Sequence, residues 1–255
     1  MSDFTAESRP GPREWAGHLL GATWALPVAM VSLLRQARMF HPRGSVFRAR
    51  VVVDPDTQWV QAARRLEGHA LVRLSGALFK AEVQHLEVLG AAIRISSSRI
   101  ESEAPSPGDQ DLLLATILSP LTMPLAPFST RSGDYLANCY YGVAPFELTD
   151  VGRVKLRMRP RHHRAPTEED RREAIETAVR DGEASFVLEA RPTLRFGWGP
   201  LARIELESAA SDVDQEALRF DPFRDGRGAR PVGFVHAIRK AVYLASQAAR
   251  PRRIT

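Results

Sequence analysis

Short runs of alternating apolar and polar residues fill the middle of the chain. Ser45 to Val53 is β-branched and alternating, and His69 to Ser75 and Ala91 to Ile95 are short apolar runs. Asp111 to Leu118 has the continuous apolar character of a buried strand. The intervening segment 96–110 is polar and carries two prolines, so it reads as a loop, and 119–134, rich in Pro, Ser and Thr, reads the same way. Val143 to Leu148 and Arg153 to Met158 flank Asp150 and Gly152, the pattern of a hairpin. Thr167 followed by Glu168, Glu169 and Asp170 predicts a helix capped by Thr167, with acids in its first turn, running to about Arg180 and stopping at Asp181-Gly182. Two further strands follow at Ser185 to Ala190 and Ala202 to Glu207, and a last helix runs from about Phe234 to Arg250, ended by Pro251. Strands first and helices late predict an α+β fold whose sheet can close into a barrel.

The N-terminus departs from this pattern. Residues 1–14 are polar, with Pro10 and Pro12, and read as a flexible tail. Residues 15–34 carry no formal charge and reach membrane-spanning length, but Pro27, His18 and two glycines interrupt them. The preceding residues hold three acids and two arginines, so no positive leader region is expected. We read 15–36 as an apolar docking helix, with contact to a membrane surface as the alternative, and 37–255 as a single domain.

Composition adds little to this picture except in its arginines. A chain of 255 residues, 44% hydrophobic and 25% charged, is ordinary globular protein. The single cysteine, Cys139, excludes an internal disulfide, and no Cys/His cluster of zinc spacing occurs; a reducing, cytoplasmic setting is the default, and Cys139 reads as an inert buried thiol. Three of the 35 basic residues are lysines, which leaves 32 arginines. Codon bias accounts for most of them. They alternate with acids, as in Glu168 to Arg172 and Arg203 to Glu207, and form no reader motif, so no nucleic-acid partner is expected. The remainder suit planar anions, which guanidinium binds in bidentate fashion.

The last helix carries the strongest chemistry. Arg239, Tyr243, Gln247 and Arg250 fall on one helical face, and Phe234, Val235, Ile238 and Val242 supply an apolar face. An arginine one turn from a tyrosine favours the phenolate, a hard anionic ligand for ferric iron. A half-buried tyrosine beside a surface arginine explains the same spacing without chemistry.

Other segments give this face a context. Arg38-Met39-Phe40-His41-Pro42-Arg43-Gly44 resembles the catalase segment in which an arginine precedes the distal histidine by three residues. Val72-Arg73-Leu74-Ser75, Gly90-Ala91-Ala92-Ile93, Tyr141-Gly142-Val143 with Phe146, and Phe220-Asp221-Pro222-Phe223 resemble further catalase segments, in the same order, across about residues 38–250. The chain thus resembles the haem catalase superfamily, in size the small catalase-related peroxidases. The resemblance implies a catalase-like antiparallel β-barrel with flanking helices, without the long wrapping loop or C-terminal flavodoxin-like region of full-length catalases.

The resemblance also implies roles. Tyr243 becomes the axial ligand of haem b iron, held as phenolate by Arg239. His41 becomes the distal acid–base, oriented by Ser75. Arg38, Arg73 and Arg250 become propionate partners. Thr116 stands where catalases place a distal asparagine, and its hydroxyl is shorter and differently directed. Fast hydrogen peroxide disproportionation is therefore not expected. Peroxidase turnover of organic or fatty hydroperoxides through a ferryl intermediate, with a small-molecule reductant, fits better. Two alternatives stay open: an allene oxide synthase-like isomerase, against which Phe40 counts because that branch has threonine there, and a haem- or lipid-binding barrel without turnover. Self-association is also left open.

Overall fold

The computed structural model describes residues 43–76, 87–119, 125–142, 144–162, 170–215 and 217–232. All of these except Val232 lie in one unit, Phe40–Pro231. The expected tail at 1–14, the apolar helix at 15–36 and the C-terminal helix from about Phe234 lie outside the described residues.

Among the described residues ten antiparallel strands form the sheet: β1 Arg43–Val53, β2 Gly68–Gly76, β3 Leu89–Ser96, β4 Gln110–Ala115, β5 Tyr140–Tyr141, β6 Phe146–Leu148, β7 Gly152–Pro160, β8 Ser185–Pro192, β9 Gly199–Ala209 and β10 Ala229–Pro231. Around the ring β1 pairs β2, then β3, β4, β5, β7, β8 and β9, and β9 returns to β1. The pairing of β7 with β8 closes the barrel, as the arrangement of strands predicts, and β6 and β10 extend from one edge of β7. Closure leaves no long unpaired strand edge on the ring.

The side-chain period of two decides what lies inside. Phe47 and Val51 of β1, Val72 and Leu74 of β2, Ile93 of β3, Leu112 of β4, Leu156 of β7 and Phe186 and Leu188 of β8 point inward and are fully buried. Each such side chain contributes about 1.5–3 kcal/mol of burial. A smaller apolar layer covers part of the outer wall, where Leu218 and Phe220 pack on Val46 and Leu71.

Among the described residues three helices flank the barrel, α1 Val60–Leu66, α2 Ala126–Ser129 and α3 Arg171–Arg180, with a 3-10 turn at Tyr135–Ala137. The cap of α3 is Asp170, not Thr167: its carboxylate accepts from the Arg172 N–H at 2.7 Å. An aspartate at that position satisfies the orphan amide directly. The β6–β7 hairpin turns as its sequence predicts, with Asp150 at φ 70° and Gly152 at φ 87°.

One polar cluster fastens the outer wall. Arg94 of β3 and Asp111 of β4 face each other with no exposure of either side chain, Nε to Oδ1 at 3.1 Å. Arg94 also donates to the carbonyl oxygens of Glu103, at 2.8 Å, and Arg219, and lies over the Phe220 ring. Asp111 accepts from the Asp221 N–H at 2.7 Å and from Arg224. Burial pushes the Asp111 carboxyl above its usual range, despite the guanidinium groups of Arg94 and Arg224. Next to it, the fully buried Gln110 amide donates to the carbonyls of Arg224 and Ala229 and accepts from the Ala229 N–H.

Breaking this pair strands a charge in the wall. Asp111→Asn should lower stability by about 3–5 kcal/mol, read as a shift of the urea midpoint at constant m. A shift corresponding to less than about 1 kcal/mol would show that the pair is not a structural staple.

Candidate functional site

Four neighbouring strands bring the sequence motifs into one row. Gly44 of β1 faces Ser75 of β2, Ser75 faces Gly90 of β3, and Gly90 faces Ala115 of β4. Directly paired residues point to the same side of a sheet, here the side away from the core residues Leu74 and Leu114. Three strand spacings make this strip roughly 14 Å wide. It carries no side chain larger than serine, so it is nearly flat. Ser75, Gly90 and Ala115 are all buried.

Arg73 lies two residues before Ser75 and shares its face. It is 4% exposed. A Cβ built on Gly44 would lie 3.0 Å from the Arg73 guanidinium carbon, 2.9 Å from Ser75 Cβ and 2.5 Å from the Leu74 carbonyl oxygen. Only glycine leaves room for the guanidinium to fold across β1. The Arg73 charge also reaches Tyr135, whose phenol burial pushes up while Arg171 and Arg73 pull it back. Arg171, at the start of α3, lies 4.0 Å from the buried Glu87 carboxylate and donates to the Ser132 carbonyl at 3.3 Å. The strip combines small side chains with a buried arginine at its edge, and its Ala115 end packs against Val88 and Ala126 of α2.

Thr116 stands just past β4, which stops at Ala115, three residues before the expected limit at Leu118. Its hydroxyl accepts from the Leu89 N–H at 3.1 Å, and its own N–H donates to the Leu89 carbonyl at 2.9 Å. It is also 2.7 Å from the Thr130 hydroxyl, which donates to the Ala126 carbonyl at 2.7 Å. A hydroxyl has one hydrogen. The Thr130 hydrogen goes to Ala126, so the Thr116 hydrogen goes to Thr130. Thr116 thus offers no further donor.

Arg73 and Ser75 therefore share one strip, and Thr116 follows Ala115 at its far end, bonded to Leu89 and Thr130. Arg38, His41, Arg239, Tyr243 and Arg250 lie outside the described residues. Among the described residues no three His, Cys, Asp or Glu side chains converge on a metal position. No helix among them is long and apolar enough to cross a membrane. Sequence reasoning missed Thr130, Glu87 and Arg171 because each acts through tertiary contacts that no local spacing encodes. Cys139 is half-buried, beside Tyr141, whose phenol is pushed up by burial and by that thiol.

Among solved structures the chain is similar to a bacterial catalase, with TM-score 0.59 and 12% identity over 88% of this chain and 59% of that one. It is equally similar to catalase A from Saccharomyces cerevisiae, with TM-score 0.60 and 12% identity over 99% of this chain and 67% of that one. It spans about three-fifths of the length of the bacterial enzyme. No family profile matches the chain, and no curated protein matches it. The likeness shows the fold, and the barrel is catalase-like.

Gly44→Ala should cost about 1–3 kcal/mol of stability, because the carbonyl it meets belongs to the backbone of β2 and cannot swing away. Chemical denaturation measures it, and an unchanged midpoint would refute the close approach.

Proposed function

We propose that the chain is a haem b-dependent peroxidase that reduces organic or fatty hydroperoxides and has little catalase activity. The observation that carries this reading is the row Gly44–Ser75–Gly90–Ala115 with Arg73 folded over Gly44. Segments chosen from the sequence for their catalase resemblance become neighbours, in register, on the wall of a catalase-like barrel.

Haem, when bound, supplies the iron at which the hydroperoxide O–O bond is cleaved. Tyr243 is its proposed protein ligand, and Arg239 keeps that phenol ionised. Arg73, together with Arg38 and Arg250, holds the propionate carboxylates as fork donors. His41 takes the proton from the inner oxygen of the hydroperoxide and returns it to the leaving oxygen, which departs as an alcohol. Ser75 fixes the orientation of His41. A small-molecule donor returns two electrons, so one hydroperoxide and two protons yield one alcohol and one water.

Thr116 supports reduction over disproportionation. An asparagine amide has two N–H donors, and one can hold a peroxide while the other is engaged. The single hydrogen of Thr116 is engaged with Thr130. Proton handling then rests on His41 alone, which suits the one-step reduction of a hydroperoxide.

Purified protein should show a Soret band with high-spin ferric features, lost in Tyr243→Phe. Arg73→Gln should weaken haem retention roughly tenfold, as expected for loss of one charged hydrogen bond. With cumene hydroperoxide and an electron donor, the loaded protein should turn over faster than free haem, with little oxygen released from hydrogen peroxide. A colourless protein that takes up no added haem would overturn the reading. So would hydroperoxide consumption that needs no reductant, which marks isomerisation instead.

A further inference from the structure

The β8–β9 hairpin ends in a tip, residues 193–198, that holds the two most exposed large apolar side chains among the described residues. Leu194 is 96% exposed and Phe196 is 105% exposed. Single exposed apolar residues are common and need no explanation. Here two of them stand within three positions on a tip the fold holds in place. The Thr193 N–H and hydroxyl both donate to the Arg153 carbonyl at 3.0 Å, and the Arg195 N–H donates to the Pro192 carbonyl at 3.0 Å. At the base, Trp198 lies against two guanidinium groups, Arg157 at 4.5 Å and Arg191 at 4.9 Å from its ring centroid.

The wall beneath the tip is cationic. On β7, Val154, Leu156 and Met158 point into the core, so Arg153, Lys155, Arg157 and Arg159 all point outward. Arg191 faces Lys155 in register. The carboxylate on β8 that shares this wall, Glu189, is buried and engaged by Arg157 and Arg159, and Glu147 of β6 faces Arg153. Beyond Gly199, the Asp54 carboxylate accepts from the Asp56 N–H and lies near Arg203.

We infer that this tip docks the protein on an anionic lipid surface, with Leu194 and Phe196 entering the acyl boundary and the flanking cations meeting phosphate headgroups. Apolar side chains and arginines on one rigid tip match the two layers of such a surface, and an interfacial tryptophan at the base sits at headgroup level. A nucleic acid fits less well. Guanidinium groups lie over Trp198, which leaves Phe196 as a single exposed ring beside Leu194 and no series of rings for successive bases. The inference stands on the hairpin alone and is independent of any haem chemistry.

Flotation of the full chain with phosphatidylcholine vesicles, with and without phosphatidylglycerol, tests it. The parent should float with the anionic vesicles and be released by high salt. Leu194→Ser with Phe196→Ser should lower the partition coefficient roughly tenfold, and Lys155→Gln with Arg195→Gln should lower it and flatten its salt dependence. Thermal unfolding should be unchanged in the Leu194/Phe196 variant, because both side chains are already in water. The inference is overturned if that variant floats as the parent does, which would place any lipid contact elsewhere, such as 15–34. It is equally overturned if both vesicle types bind alike, or if the tip drives self-association in sedimentation runs and ignores vesicles.

Discussion

The side chains of Arg94 and Asp111 lie wholly out of water, and burial pushes the Asp111 carboxyl up against the pull of two guanidinium groups. The interaction persists because it does more than pair two charges. Each group spends its remaining donors or lone pairs on backbone from 103, 219 and 221, and Arg224 joins from the same segment. The 219–229 stretch therefore has one position on the outer wall, fixed on one side by this pair and on the other by Gln110. An apolar pair in the same place would fill the volume but would leave that segment free to slide.

That fixed wall is the foundation of the strip beside it. Arg94 sits on β3 four residues after Gly90, and Asp111 sits on β4 four residues before Ala115, so one register serves both the ion pair and the row of small residues. Where β4 ends, Thr116 bonds Leu89 through backbone and side chain together. The strip is thus bounded by a buried arginine at one end and a hydroxyl chain at the other. Flatness in the middle comes from side chains that are missing, and definition at the ends comes from polar groups that are satisfied.

The barrel strands were legible because their core faces alternate over enough residues to show a period of two. Arg73 and Ser75 were legible through the resemblance of Val72-Arg73-Leu74-Ser75 to a catalase strand. What was not legible depended on register or on brevity. Nothing in the sequence places Gly44 opposite Ser75 and Gly90, since pairing is settled by the whole barrel. Helix α1 has no capping side chain at Trp59 and no acid in its first turn, so it carries no start signal. Strands β5 and β10 are too short for periodicity. The stripe on β7 stood in plain view as Arg153, Lys155, Arg157 and Arg159, yet it means something only once the strand is known to turn those residues outward. Arg94 was hidden among the many arginines, because a fully buried one looks like any other until its partners are seen.

The ring is not equally strong all the way round. Between β4 and β5 it is held by a single residue pair, Ala115 with Tyr141, whereas β1 and β2 match along nine positions from Arg43↔Gly76 to Val51↔Gly68. Backbone amides at that seam break the fewest bonds on opening, so proton exchange with solvent begins there and spreads outward along β5. The cylinder therefore has a hinge line. It runs past Thr116, while the neighbouring β3–β4 seam is pinned by six residue pairs and the Arg94–Asp111 ion pair.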